Sequence, residues 1–359
     1  EEVAETDTSG IGALAWQELF TDPQLQALIE EGLENNTDLR TAHLRVQEAE
    51  AALMTSRLAY LPALSLTPQG TISSFDGSKA SKSYQLPVSA SWEIDIFGKL
   101  TNAKRSAKAA LEETKSYRQA VRTQLISTIA NTYYTLLLLD KQLAISERTA
   151  ALWQENVRAM YAMKKAGLSN EAAVSQAEAN CLSVEASLLT LRQQINEAEN
   201  SLSTVLGKTP QAIERGTLDN QAFPQTLTTG IPLDLLKNRP DVQQAEYALA
   251  QAFYGVNKAR SSFYPNITLS GSVGWTNSGG GIISNPGALL LQAIGSLTQP
   301  LFNKGAHIAN LKIAKAQQEE APLAFHQSLL NAGSEVNNAL KQWQTARARI
   351  MLGEKQVAS

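Results

Sequence analysis

DLRTAHLRVQEAEAALMTSRLAYLPALSL at residues 38–66 and DVQQAEYALAQAFYGVNKARSSFYPNITL at residues 241–269 decide the fold. A shift of 203 positions sets Asp38 on Asp241, Ala42 on Ala245, Ala49 on Ala252, Arg57 on Arg260, Pro62 on Pro265 and Leu66 on Leu269. The chain therefore contains a duplication. In each copy a helix-compatible run ends at an aromatic-flanked proline, Tyr60-Leu61-Pro62 or Phe263-Tyr264-Pro265. Proline disfavours α geometry in the residue before it, so both positions mark helix ends.

Beyond each proline the period changes to two. Leu64, Leu66 and Ile72 alternate with Ser65, Thr67, Gln69, Thr71 and Ser73. In the second copy Ile267, Leu269, Val273 and Trp275 alternate with Thr268, Ser270, Ser272 and Thr276. Both stretches predict strands with one apolar and one polar face. A polar tip follows each one, SFDGSKASKS at 74–83 and NSGGGIISNPG at 277–287, and then a returning strand. The first return alternates Leu86, Val88, Ala90, Trp92, Ile94 and Ile96 with Ser89, Ser91, Glu93 and Asp95. The second return is less regular, because Ile294 falls among Gln292, Ser296 and Thr298. Helix resumes after each hairpin with the copies 207 apart, Ala107 and Glu112 matching Ala314 and Glu319. The repeated unit is helix, β-hairpin, helix.

The run from Lys99 to Ala166 has no proline and would reach on the order of 100 Å as a helix. Its apolar residues recur at steps of three and four with alanines between them, which suits lateral packing as in a coiled coil. Lys164-Lys165-Ala166-Gly167-Leu168-Ser169-Asn170 reads as a reversing turn, with Gly167 as the stop and Ser169 or Asn170 as the next N-cap. A second helix returns to Leu206-Gly207. Near the start, the apolar spacing of residues 16–34 suits an amphipathic helix after Asp22-Pro23, and Pro240 opens the second repeat at a favoured first-turn position.

A net charge of −3 and a pI near 5.8 give no reason to expect nucleic-acid binding. No apolar run is long enough for a transmembrane helix, although barrel strands with one polar face score weakly by hydropathy. The single cysteine, Cys181, permits no internal disulfide and reads as a packed thiol within a helix. His43, His307 and His326 lack neighbours at metal-ligand spacing, Gly279-Gly280-Gly281 lacks the Lys-Ser or Lys-Thr of a phosphate loop, and no serine sits in a nucleophile elbow. Glu93 and Asp95 could mimic a catalytic carboxylate pair, but on the polar face of a barrel strand they read as solvated lumen charges. The residues point to no enzyme, cofactor or metal site.

The chain resembles the TolC-like outer-membrane efflux factors, most closely the lipoprotein-type channels of tripartite efflux pumps. The resemblance is carried in order by WQELFTDPQLQALIEEGLENNTDLRTA at 16–42, SWEIDIFGK at 91–99, GLSNEAAVSQAEA at 167–179, VLGKTPQ at 205–211, IPLDLLKNRPDVQQAE at 231–246 and SSFYPNITLSGSVGW at 261–275. It implies a mixed α and β fold: a trimeric outer-membrane β-barrel of twelve strands, four per chain, continued by a periplasmic α-helical barrel. The segments would be an N-terminal equatorial part at 1–35; first-repeat helices at 36–62 and 98–207 around a hairpin at 63–97; an equatorial linker at 208–236; and second-repeat helices at 237–265 and 303–359 around a hairpin at 266–302. Four strands cannot close a barrel alone, and in lipid every strand edge must be paired, which supports the implied oligomer.

The resemblance further implies a duct for drugs, metals or other toxic compounds in the outer membrane of a Gram-negative bacterium, with no catalysis of its own. Its partners would be outer-membrane lipid, two further copies, a periplasmic adaptor and an inner-membrane pump. The adaptor would dock at the tip formed by Lys164, Lys165, Gly167, Leu168 and Ser169. Trp92, Ile94, Ile267, Leu269 and Trp275 would face lipid, and Glu93 and Asp95 the lumen. Where the family has an aromatic and an aspartate near the tip, this chain has Lys164 and Ala173. The family's acylated cysteine is expected upstream of Glu1, and by the repeat a second helical tip is expected near position 374, beyond Ser359. A secretion channel for polypeptides and a soluble coiled-coil scaffold with hairpin insertions are the competing readings.

Overall fold

A computed structural model describes residues 15–78, 80–221, 238–277 and 288–358. The described elements are α1 (Trp16–Leu19), α2 (Pro23–Asn35), α3 (Thr37–Leu58), β1 (Ala63–Leu66), β2 (Gln69–Ser73), β3 (Ser81–Ile94), α4 (Lys99–Lys165), α5 (Glu171–Val205), α6 (Pro240–Ser261), β4 (Asn266–Thr276), β5 (Ala288–Thr298) and α7 (Ala306–Ala358). A short 3-10 turn lies at Leu218–Asn220. Most of the linker expected at 208–236 and the glycines at 279–281 fall outside the described residues. Two compact units emerge. One holds residues 15–43, 118–221 and 339–358, and the other holds 44–78, 80–117, 238–277 and 288–338.

The core of the helical unit is gathered from α2, α4 and the end of α5. Asp22 accepts the Gln24 amide at 2.9 Å and Pro23 occupies the first turn, so α2 starts there and not at Trp16. Its inner face buries Leu25 and Ile29 among Ile129, Tyr133 and Leu136 of α4 and Leu202 and Leu206 near the end of α5. Each such side chain contributes about 1.5–3 kcal/mol by leaving water. Gly32 lets the helices close, since a Cβ there would stand 2.4 Å from Ile129 Cδ1.

Asn36 then joins two elements. Its Oδ1 accepts the Leu39 amide at 3.0 Å, which caps α3, and its Nδ2 donates to the Val205 carbonyl at 2.8 Å. The described start of the linker is held by charge at Arg215. Arg215 donates to both oxygens of Asp140, at 2.6 and 2.9 Å, and to Glu199 at 2.5 Å. Those carboxylates hold its guanidinium pKa above the ordinary arginine value despite the opposing effect of burial. Nearby, the Tyr133 hydroxyl donates to Asp22 at 2.6 Å and accepts the Gly216 amide at 3.0 Å. Burial and the Asp22 carboxylate both push the Tyr133 phenol up.

The second unit carries one antiparallel sheet in the order β1-β3-β4-β5, with β2 also on β3. The strand expected after Pro62 is divided at Thr67-Pro68. Its register on β3 does not slip: Leu66 pairs with Val88, and Gln69 with Gln85. Pro68 and Pro87 face that gap, where neither can donate a ladder hydrogen bond. Thr67 still donates to the Pro87 carbonyl at 3.2 Å.

Candidate functional site

The ladders decide which side chains share a face. Trp92 pairs with Leu269, Ile94 with Ile267, Val88 with Val273 and Leu86 with Trp275. Across the next ladder Leu269 meets Gly295, Val273 meets Leu291 and Trp275 meets Leu289. Thus Trp92, Ile94, Ile267, Leu269 and Trp275 lie on one apolar face, which β5 extends with Leu289, Leu291 and Leu297. The other face carries Ser89, Ser91 and Glu93 opposite Ser272, Ser270 and Thr268. Ile294 does fall on that polar face, opposite Ser270, as its irregular position suggested.

β1, β2 and most of β5 are exposed on both faces, but along β3 and β4 the apolar face holds the more exposed residues. Trp92 is 40% exposed and Trp275 45%, and Leu269 and Val273 are exposed as well. On the opposite face of β4, Gly274 and Thr276 are buried. A water-soluble sheet arranges its two faces the other way round.

Asp95 departs from the alternation that placed it beside Glu93. β3 ends at Ile94, and the Asp95 carboxylate turns to the start of α4. It accepts the Leu100 amide at 3.0 Å, the Thr101 amide at 2.8 Å and the Thr101 hydroxyl at 2.6 Å. Amides at a helix start are the strongest available partners for a carboxylate, which explains the departure. Gly98, at φ +74°, supplies the left-handed step between strand and helix. Glu93 is bound to Lys99 at 2.8 Å. The two carboxylates serve the strand-to-helix turn and do not form a catalytic dyad.

Both repeats close their helix-to-strand corner alike. Trp92 Nε1 donates to the Tyr60 carbonyl at 2.9 Å. At the matching place in the second repeat, Gln299 Nε2 donates to the Phe263 carbonyl at 3.1 Å. In each case a side chain at the end of the returning strand satisfies a carbonyl that has no helical partner because the helix has already ended.

At the far end of α4 the chain reverses in a Schellman turn. Leu168 N–H reaches the Met163 carbonyl at 2.9 Å and Gly167 N–H reaches Lys164 at 3.0 Å, with Gly167 at φ +75°. Asn170, not Ser169, caps α5 by accepting the Ala173 amide at 3.0 Å. Leu168 stands 75% exposed at the apex, Lys165 is exposed, and Lys164 is paired with Glu171 across the turn. A polar ladder continues along the two helices: Tyr161 to Glu178 at 2.5 Å, Gln154 to Glu185 at 2.9 Å, and Arg192 to Glu147 at 3.0 Å. These partners escaped sequence reading, because a cross-helix pair is visible only once the turn fixes the register. Cys181 is buried between them, its thiol raised in pKa first by burial and then by Glu185. Among the described residues no cluster could hold a metal ion, and no helix is long and apolar enough to cross a membrane.

A two-hairpin sheet with an apolar exposed face, joined to helices of 67 and 53 residues, defines an outer-membrane channel subunit. The chain belongs to the outer membrane efflux protein family, whose model matches residues 28–208 and 231–359. It is similar to the cation efflux system protein CusC of Escherichia coli O6:H1, with 29% identity over 347 residues, covering 96% of this chain and 75% of that protein. It is also similar to the pyoverdine export outer membrane protein OpmQ of Pseudomonas putida, with 30% identity, covering 92% and 74%. A solved structure of CusC, described in terms of folding and transmembrane channel formation, covers all of this chain and 85% of its own with a TM-score of 0.88 at 27% identity. The fold is that of the TolC-like channels, and the protein is an outer-membrane exit duct of an efflux system. The family consists of efflux channels and not of enzymes.

Proposed function

We propose that three copies of this chain close a twelve-strand barrel that passes small toxic molecules or ions from the periplasm to the exterior. The observation that carries this reading is the sheet: its apolar face is uncovered, and β5 and the β1/β2 edge are each paired on one side only. In a bilayer both facts are resolved at once, by lipid against the face and by a neighbouring copy along each edge. Trp92, Ile94, Ile267, Leu269 and Trp275 would then face lipid, with Glu93 toward the lumen and Asp95 at the mouth of the helical tube.

Energy would come from an inner-membrane pump reached through a periplasmic adaptor. The adaptor would bind the tip at Lys165, Gly167 and Leu168, with Lys164 and Ser169 shaping the turn. The names of the relatives support small cargo over polypeptide, since they denote cation efflux and pyoverdine export.

The test is the mass of the full-length protein extracted in mild detergent, by light scattering with the detergent subtracted. A trimer confined to the membrane fraction is expected. A monomer or dimer recovered without detergent would leave the strand edges unpaired in any bilayer and end the proposal.

A further inference from the structure

The four helix ends that meet the hairpins differ in charge from the rest of the chain. Residues 54–62, 96–111, 255–265 and 299–316 hold one, four, two and three Lys or Arg, ten in all, and no Asp or Glu. At the chain's average of 34 Asp and Glu in 359 residues, these 54 residues would hold about five. On the hairpin side only Glu93 and Asp95 adjoin these stretches, and both are engaged, Glu93 by Lys99 and Asp95 by the Leu100 and Thr101 amides; along the helices the next carboxylates are Glu50, Glu112, Glu246 and Glu319. Lys104, Arg105, Lys108, Lys258 and Arg260 are all exposed.

These ends stand side by side. The Tyr60 hydroxyl donates to Thr101 at 3.0 Å and the Ser261 hydroxyl to the Phe97 carbonyl at 3.0 Å. Phe97 stacks on Tyr264 with ring centroids 4.8 Å apart, and Phe263 lies 5.8 Å from His307. Exposed aromatic rings thus line the strand ends, and the cations lie directly behind them.

The collar is also tied to the apolar face of the sheet. Lys104 Nζ sits 5.4 Å over the Tyr60 ring, and the Tyr60 carbonyl accepts the indole of Trp92, which belongs to that face. Amphipathic rings settle at headgroup level, and cations just beyond them meet lipid phosphates. Free carboxylates at that level would be repelled by the same phosphates, and the two that lie there, Glu93 and Asp95, are bound to Lys99 and to the start of α4.

We propose that this aromatic and basic collar binds anionic phospholipid headgroups of the periplasmic leaflet and sets the depth of the barrel in the membrane. The proposal rests on the reading that the apolar face of the sheet lies in lipid.

The test uses the full-length protein reconstituted into vesicles of phosphatidylcholine alone or with one third phosphatidylglycerol. Lipids retained after mild-detergent extraction are counted by native mass spectrometry. The expected result is a preference of roughly ten-fold for phosphatidylglycerol, reduced by high salt. It should be abolished by combining Lys104→Gln, Arg105→Gln, Lys108→Gln and Arg260→Gln, and kept by Arg118→Gln with Arg122→Gln farther along α4. Equal retention of both lipids by the unaltered protein overturns the proposal whether or not the variant folds. So does a variant that keeps the preference, or one that changes only the anion-to-cation permeability of the channel, which would put the collar in the duct. Failure to insert into either vesicle would instead sink the reading of the sheet face, and the collar with it.

Discussion

Gly274 lies directly across the β3–β4 ladder from Pro87, and a Cβ at Gly274 would stand 2.2 Å from the Leu86 carbonyl oxygen. Backbone cannot yield there as a side-chain tip could. Gly274→Ala is expected to cost about 3 kcal/mol and to lower the yield of heat-resistant oligomer on gels. Gly295→Ala, where nothing lies within 4 Å, is the control and should assemble normally.

The placement of the apolar face can be read from fluorescence. Variants that keep only Trp92 or only Trp275, with the other tryptophans changed to Phe, should be quenched strongly by brominated lipid in reconstituted vesicles. A variant that keeps only Trp16, which packs against the helical core, should not be quenched. Equal quenching of all three would contradict a lipid-facing sheet.

At the tip, conformation and contact separate cleanly. Gly167 has open space around its Cα but a φ of +75°, so Gly167→Val strains the turn by about 1–3 kcal/mol. Leu168→Ser touches only an exposed side chain and should leave folding unchanged. Both should lower export with normal amounts of assembled channel. The loss of one apolar anchor at Leu168 should weaken adaptor binding about ten-fold, measurable by titration with the purified adaptor.

Asp22 gives the helical unit an acid limb. Burial alone would raise its carboxyl, but hydrogen bonds from Tyr133, Gln221 and the Gln24 and Leu25 amides outweigh it and hold the pKa below the ordinary 3.8. A carboxyl lowered on folding contributes in full above its ordinary value, and that contribution is lost as pH falls through the folded value. Asp22→Ala should cost about 1–2 kcal/mol near neutrality through the lost cap and hydrogen bonds. The gap in melting temperature from the unaltered protein should narrow between pH 4 and pH 2, with circular dichroism as the readout. A gap constant over that range would remove Asp22 from the acid limb.

The periodic part of the architecture was legible in the sequence. The duplication, both hairpins, the helix from Lys99 and the reversal at Gly167 follow from local period and from residues that fix φ. What the letters concealed was partnership. Asp95 looked like a strand carboxylate because alternation carries no record of the amides of Leu100 and Thr101 folding back upon it. A glycine three residues later and the helix start at Lys99 were the available signal. Pro68 likewise marked the break in the first strand. Asp22 and Tyr133 are 111 residues apart, and no spacing rule connects them.

The carbonyls of Tyr60 and Phe263 hold a record of descent. The two repeats answer the same unmet backbone need with an indole in one and an amide in the other. Comparing side chains would score Trp92 and Gln299 as unrelated. Comparing what each corner of the main chain requires recovers their common ancestry, and it gives a way to align repeats whose letters have drifted apart.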